Sequence, residues 1–366
     1  MKELLIKIKP LTPLWTGNEE GKNTDMRETG IIGSLRWWYE ALIRGLGESA
    51  CDPTNTKCNG EKHCGACELF GCTGWARKFR LEVEFNQTIP EVGIGVRKDC
   101  RKIRKVSGFM SDGTILLKFT PLKKISSNEW AMLNSTLKII ANYGALGAHV
   151  SQGNGVIKIE ENNLPKGKLN KNECKSEKEG IDSPNLKDFF FFKISITFTN
   201  DIMNLIKNNV FWTYDTSCGL NTRYNRDWSQ LWNNYGFIPI AYHIRDALRR
   251  LEQYKNIRHE IFGEMGKGSK IFVSHGYKIN DKTVQVRIFG YIRNNEDDKN
   301  GEIDELLKKI MSKKDSGSLN FLKDYLFNIE PQNQQKKDGI DKIEIVEAKQ
   351  GNEILEDLLE VLINGV

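Results

Sequence analysis

The first 160 residues switch between two hydrophobic periods, and the order of the switches restricts the fold more than any other feature. In "LLIKIK", Leu4, Ile6 and Ile8 fall on one face while Lys7 and Lys9 fall on the other, which predicts a half-buried strand. "RETGIIGSLRWWYEALIRGLG" then repeats at helical spacing, with Ser34 as its expected N-cap and Leu35, Trp38, Tyr39, Leu42 and Leu46 as its buried stripe. "RKFRLEVEF" and "TILLKF" return to period two. Ser126 and Glu129 have capping-box spacing before a second helix with Trp130, Leu133, Leu137 and Ile140 on its apolar face. "GVIKI" closes the series as a strand. Strand, helix, strand, strand, helix, strand is the split βαβ order of ferredoxin-like, RNA-recognition-type modules.

A second series follows. "FFFFKISITFT", "KIFVSHGYKI" and "TVQVRIFGYI" read as strands, and "FIPIAYHIRDALRRLE", "GEIDELLKKIMSK" and "NEILEDLLEVLINGV" as helices. "YEALIRGLG" is similar to "RDALRRLE", and "CELFGCTGWARKFRLEV" to "HEIFGEMGKGSKIFVS", which points to a divergent internal duplication. The expected fold is α+β, with two tandem ferredoxin-like domains. Residues 1–160 form the first, with an insertion at 51–72. Residues 161–187, rich in Lys, Glu, Asn and Gly, form a polar linker, and 188–366 form the second domain with a C-terminal helix.

Composition excludes some classes of function. No apolar run nears the roughly 20 residues that span a bilayer, and "MKELLIKIKPL" reads as a strand and not as a signal peptide, so a cytoplasmic location is expected. The net charge of +6, from 54 basic and 48 acidic residues, is too small to identify a nucleic-acid partner. Local clustering carries that argument instead. Arg97, Lys98, Arg101, Lys102, Arg104 and Lys105 crowd one short segment, offset by Asp99. "GALGAHVSQGNG" holds Gly144, Gly147, His149, Gln152 and Asn154 in a loop able to expose backbone N–H groups to an anion. It lacks the Lys-Ser/Thr of a Walker loop, so nucleotide hydrolysis is not expected. At the opening helix, Arg27, Ser34, Arg36 and Trp37 are expected to meet phosphate and base, as are Arg77 and Lys78 beside Trp75. The bland alternatives are a capped helix, a turn and a solvated basic loop.

Eight cysteines in a chain of 366 residues do not form a secreted disulfide framework. Five lie between Cys51 and Cys72. Cys51, Cys58, Cys64 and Cys67 could hold a structural zinc, and the alternatives are a reversible disulfide or buried thiols. "HCGAC" lacks the H-x-E of a catalytic zinc site. None of the five histidines lies in a recognisable catalytic motif, although His149 could act as a general base in RNA cleavage.

"LTPLWTG", "RETGIIGSLRWWYEAL", "CELFGCTGWARKF" and the glycine-rich loop together resemble the repeat-associated mysterious protein (RAMP) superfamily of CRISPR systems. Within it they resemble the family of subunit one of the type III-B Cmr effector complex. The resemblance implies a non-catalytic RNA-binding subunit of a ribonucleoprotein. Such a subunit caps the helical backbone near the 3′ part of the guide RNA and helps capture target RNA, with other effector subunits as partners and no cofactor required. A metal-independent guide-processing endoribonuclease and a purely architectural subunit are the competing readings.

Overall fold

Lys7 and Lys9 keep one face of the first strand polar, and Ile6 and Ile8 bury the other completely. That strand, β1 (Leu4–Pro10), is central in an antiparallel sheet with β2 (Phe79–Glu84), β5 (Ile115–Pro121) and β6 (Ile157–Asn162), in the order β2-β5-β1-β6. Register places Ile6 opposite Leu117, Ile8 opposite Ile115, and Leu81 opposite Phe119, so the apolar residues meet on one face. A separate hairpin, β3 (Val92–Gly95) with β4 (Ile103–Val106), interrupts the chain between β2 and β5. The computed structural model describes residues 3–51 except 19 and 23, residue 58, 63–85, 89, 92–95, 103–169 except 112, 184–211 except 209, 228–264, 268–291, 322 and 339–364. The expected helix at 301–313, most of the 161–187 segment, and Arg97, Lys98, Arg101 and Lys102 lie outside them.

Two helices cover this sheet. α3 (Ser127–Asn142) starts at the expected capping box. The Ser126 hydroxyl accepts from Glu129 N at 3.2 Å, and Ser126 N donates to Glu129 Oε2 at 2.7 Å. α1 (Glu28–Gly45) begins earlier than expected, with Arg27 and not Ser34 as its N-cap. Ile31 and Ile32 are buried, and Gly30 lets the helix press against Thr16, where a Cβ would stand 2.9 Å from both the Thr16 Cβ and its carbonyl. That packing outweighs the cost of glycine in a helix, about 1 kcal/mol. A short helix, α2 (Gly65–Phe70), follows the cysteine-rich stretch.

The second sheet is also antiparallel. It runs β12 (Ile340–Gln350), β7 (Phe189–Phe198), β11 (Thr283–Tyr291), β10 (Gly276–Asn280) and β8 (Phe237–Ile238), with β9 (Ile271–Val273) also pairing with β11. α4 (Ile202–Lys207), α5 (Ala241–Leu251) and α6 (Lys255–Phe262) lie between β7 and β9. Phe190, Phe192, Ile194 and Ile196 of β7 belong to the core of the second half, while Phe189 and Phe191 join that of the first. Burial on both faces explains the unbroken run of four phenylalanines.

The proposed duplication has a structural signature. Helix α2 ends at Gly71 (φ 85, ψ 163) and α6 at Gly263 (φ 74, ψ 161). Lys78 N then donates to Leu69 O at 3.0 Å, and Lys270 N to Ile261 O at 2.9 Å, each just ahead of a strand.

The halves share a tight seam. Trp38 packs edge-on to Phe189, with ring centroids 5.5 Å apart, and its indole N–H donates to Ala145 O at 2.9 Å. The buried guanidinium of Arg287 donates to Ile140 O (3.3 Å), Gly144 O (3.0 Å) and Ala141 O (2.6 Å), closing the C-terminus of α3. The C-terminal helix α7 (Gly351–Asn364) was expected to belong to the second domain, yet Ile354, Leu355 and Leu358 pack into the first core. The described ends of the expected linker are packed as well. Residues 161–162 complete β6, and Leu164 and Leu186 are buried.

Two consequences are measurable. Arg287→Met leaves three buried carbonyls without their charged donor and should lower stability by roughly 3 kcal/mol in urea unfolding. His275 is fully buried, and burial, followed by the charge of His243, depresses its pKa from 6.5 to about 3. The unfolded chain therefore binds the extra proton below about pH 6.5, and stability falls as pH falls through that window. Acidifying from pH 7 to 5 should cost about 2 kcal/mol through this group. In thermal melts, His275→Gln should be less acid-sensitive than the wild type.

Candidate nucleic-acid interface and cysteine cluster

Three segments meet where the two halves join. The first is the strip from Leu11 to Gly17 that follows β1. Its Leu14 exchanges backbone hydrogen bonds with Phe109 at 2.9 and 2.7 Å, fixing the root of the β3–β4 hairpin. The second is the glycine loop after α3. Ala148 N donates to Trp15 O (2.7 Å), and Gly155 N donates to Pro13 O (2.8 Å), so the loop lies along the strip. The third is the N-terminus of α5. Gly153 touches it so closely that a Cβ would stand 2.5 Å from the Cβ of Ala241.

Within the loop, His149 adopts φ 56 and stacks on Trp15, with centroids 3.7 Å apart and an interplanar angle of 15°. Burial lowers its pKa, so the ring is neutral at pH 7. Asn154 is buried and its amide donates to Ser107 O at 3.1 Å, tying loop to hairpin, while its Oδ1 has no partner among the described residues. Gln152 is half-buried in a short 3₁₀ turn, Val150–Gln152.

Several expected contacts are instead structural. Gly147 N donates to the Ser34 hydroxyl at 3.0 Å, so that N–H is not open to phosphate. Gly144 is needed because a Cβ there would lie 2.4 Å from the Trp38 ring. Arg36, expected at the RNA rim, is turned inward. Its Nε meets Glu40 at 2.7 Å, and its Nη atoms reach Gly71 O (2.8 Å) and Cys67 Sγ (3.1 Å). In the Arg36–Glu40–Arg44 ladder Glu40 and Arg44 are buried, with Arg44 bonded to Ala50 O and Cys51 O. Lys78 is held between Glu68 (2.7 Å) and Glu129 (2.8 Å). It lines a cavity of about 300 Å³ with both carboxylates and Glu48, whose acidic wall does not suit a phosphate. Arg77 is half-buried, and Trp75 is covered by Lys123, 3.8 Å from its ring. Arg27 stays exposed, with Asp25 at 3.5 Å. Trp37 is 36% exposed and meets Tyr291 edge-on at 5.2 Å, bridging the halves at their rim.

Arg104 and Lys105 are exposed on β4. Arg104 lies 5.8 Å from the ring of Tyr242 on α5. One turn along α5, Arg245 is held below its usual pKa by burial and then by the like charges of Arg249 and Arg104. The sequence reading took α5 only as a helix. The signal it passed over was the spacing of Arg245 and Arg249, one helical turn apart, with Tyr242 ahead of them.

The cysteine cluster lies on the far side of α1. Cys51, Cys58, Cys64 and Cys67 are buried free thiols whose sulfurs all lie within 4.8 Å of one another. Cys51 Sγ is 3.3 Å from Cys67 Sγ and 3.7 Å from Cys64 Sγ. Cys72 lies at the edge of the cluster, half-exposed, its thiol beside that of Cys67 and facing Thr73 O. His63 is directed to Glu68 at 3.4 Å.

With β-sheets, two buried cores and a basic seam in place, the class is an α+β protein of antiparallel sheets. Residues 7–158 match the model of the RAMP superfamily. Among solved structures, the chain is similar to Cmr1 from Pyrococcus furiosus in its apo form, at 13% identity and a TM-score of 0.41, covering 81% of this chain and 89% of that one. It is also similar to a chain of the type III-B Cmr-beta complex bound to cognate target RNA (13%, TM-score 0.33, covering 80% and 94%). A type IV-B CRISPR complex chain matches at 15% identity and a TM-score of 0.32, covering 50% and 97%. No curated protein matches the chain. No helix among the described residues is long and apolar enough to cross a membrane.

Gly147 has φ 88, and a Cβ there would lie 2.7 Å from Trp15 O. Gly147→Ala should therefore cost about 1–2 kcal/mol in denaturant unfolding and raise amide exchange across 145–155.

Proposed function

We propose that this chain is a non-catalytic RNA-binding subunit of a type III-B CRISPR effector complex. In this reading both halves are ferredoxin-like, since the first strand of each half is central, β1 between β6 and β5 and β7 between β12 and β11. The subunit works in the cytoplasm and caps the protein backbone near the 3′ part of the guide RNA. It binds beside other effector subunits and helps to hold target RNA.

One observation carries the reading. The hairpin bearing Arg104 and Lys105, the glycine loop with its Trp15–His149 stack, and the Arg245–Arg249 turn of α5 converge on one seam. Three arginines near one another repel, and a polyanion relieves that repulsion. Aromatic rings beside such a groove suit a sugar–phosphate chain followed without base-specific contacts. The remaining clustered cations, Arg97, Lys98, Arg101 and Lys102, precede β4 in the same stretch of sequence. A non-catalytic role is supported by His149, whose ring is occupied by Trp15 and has no ionisable partner among the described residues.

The test is single-stranded RNA binding by fluorescence anisotropy across a salt series. Arg104→Ala, Lys105→Ala and Arg249→Ala combined should weaken binding at least tenfold at low salt. Each lost phosphate contact should also make the log–log salt slope shallower by about 0.7. An unchanged slope would remove the proposal. Cleavage of repeat RNA in EDTA, abolished by His149→Ala, would replace it with the endoribonuclease reading.

A further inference from the structure

The chemistry that neither the family match nor the basic seam accounts for is the cysteine cluster. Four thiols that merely filled a core would need no common centre. Here four buried sulfurs from three separate places in the chain lie within 4.8 Å of one another. A tetrahedral zinc–thiolate centre with Zn–S near 2.3 Å sets its sulfurs about 3.8 Å apart. The Cys64–Cys51 distance is 3.7 Å and the Cys51–Cys67 distance 3.3 Å, so a small adjustment fits one ion between them.

The surroundings suit thiolates and not thiols alone. Cys51 N donates to Cys64 Sγ and Cys64 N to Cys58 Sγ, each at 3.4 Å. The Arg36 guanidinium donates to Cys67 Sγ at 3.1 Å and lies 4.0 Å from Cys51 Sγ. A four-thiolate zinc centre carries two net negative charges, and burying it requires such donors and a nearby cation. Arg36 supplies both, held in place by Glu40 and Gly71 O. Arg44 fixes the backbone of the first ligand through Cys51 O at 3.3 Å.

We propose that Cys51, Cys58, Cys64 and Cys67 bind one structural Zn²⁺, with Arg36 as the positioning residue that balances its charge. Four protein ligands leave no open position, so the site is structural and performs no hydrolysis. "CDPTNTKCNGEKHC" offers almost no apolar side chains, so a metal takes the place of a core in folding this insertion against α1. The proposal does not depend on RNA binding, and metal content is measured without RNA.

Untagged full-length protein, purified from zinc-supplemented culture, is analysed by plasma mass spectrometry and by intact mass under native and denaturing conditions. The expected result is one zinc per chain, lost on denaturation, with all thiols reduced. Cys64→Ser and Cys67→Ser should each lower zinc content at least fivefold, while Cys72→Ser retains it. Because a ligand variant can misfold, the wild-type protein is also stripped and titrated with Co²⁺. The intense visible bands of tetrahedral cobalt thiolate should saturate at one equivalent. Arg36→Met should weaken zinc affinity about tenfold, with Arg36→Lys recovering most of the loss. A native mass lacking zinc, a mass deficit showing disulfides, or cobalt spectra of octahedral oxygen ligation would each overturn the proposal. Unaltered affinity in Arg36→Met would overturn the role of Arg36.

Discussion

The buried guanidinium of Arg287 is the interaction on which the relation between the halves depends. It originates on the central β11 of the second sheet and ends among three carbonyls at the C-terminus of α3 in the first half. A cation there is favoured by the helix dipole, and a planar fork can satisfy several carbonyls that a lysine could reach only singly. Trp38 packs against Gly144 beside the same helix end, while its edge meets Phe189. Two sheets held in this way act as one body. The glycine loop and α5, in contact at Gly153 and Ala241, therefore keep a fixed spacing.

Much of the fold was legible because local and tertiary demands agreed. The capping box of α3 and the alternation of β1, β2 and β5 mean the same thing in isolation and in the packed protein. The start of α1 was hidden for the opposite reason. Glycines at Gly30 and Gly33 argue locally for a turn, and only contact with Thr16 makes the first of them useful inside a helix. The site was less legible. A sequence records that Arg36, Lys78 and Arg104 are charged but not which carboxylates stand opposite them. Two of the three are neutralised: Arg36 by Glu40, one turn along the same helix, and Lys78 by Glu68 and Glu129 from other elements. The cysteines were better defined, since their only chemical alternatives are few.

Sorting the cations by partner changes what the charge means. Those on the α1 and α2 side are consumed inside the protein, by carboxylates and by sulfur. Those on β4 and α5 approach one another across the seam, where burial and the like charges of Arg249 and Arg104 act on Arg245. A net charge of +6 spread evenly would attract nucleic acid weakly. Concentrating part of that charge at the seam is what makes a small excess effective.

The duplication clarifies what the cysteine insertion is for. In the second half, α5 ends at Leu251 and α6 begins at Lys255, so the two helices are joined almost directly. In the first half the equivalent connection runs from Gly45 to Gly65 and carries three of the four proposed zinc ligands, the fourth, Cys67, lying on α2 itself. Both copies nonetheless make the same glycine turn and the same Lys N to Leu69 O or Ile261 O bond before the next strand. The same turn thus forms without cysteines in the second half, and the zinc proposed for the first would tie the inserted segment to α2. Since Arg36 and Arg44 bind the insertion to α1, the centre stiffens the outer face of that helix. The opposite face, with Trp38 and the Arg287 clamp behind it, is set by packing alone.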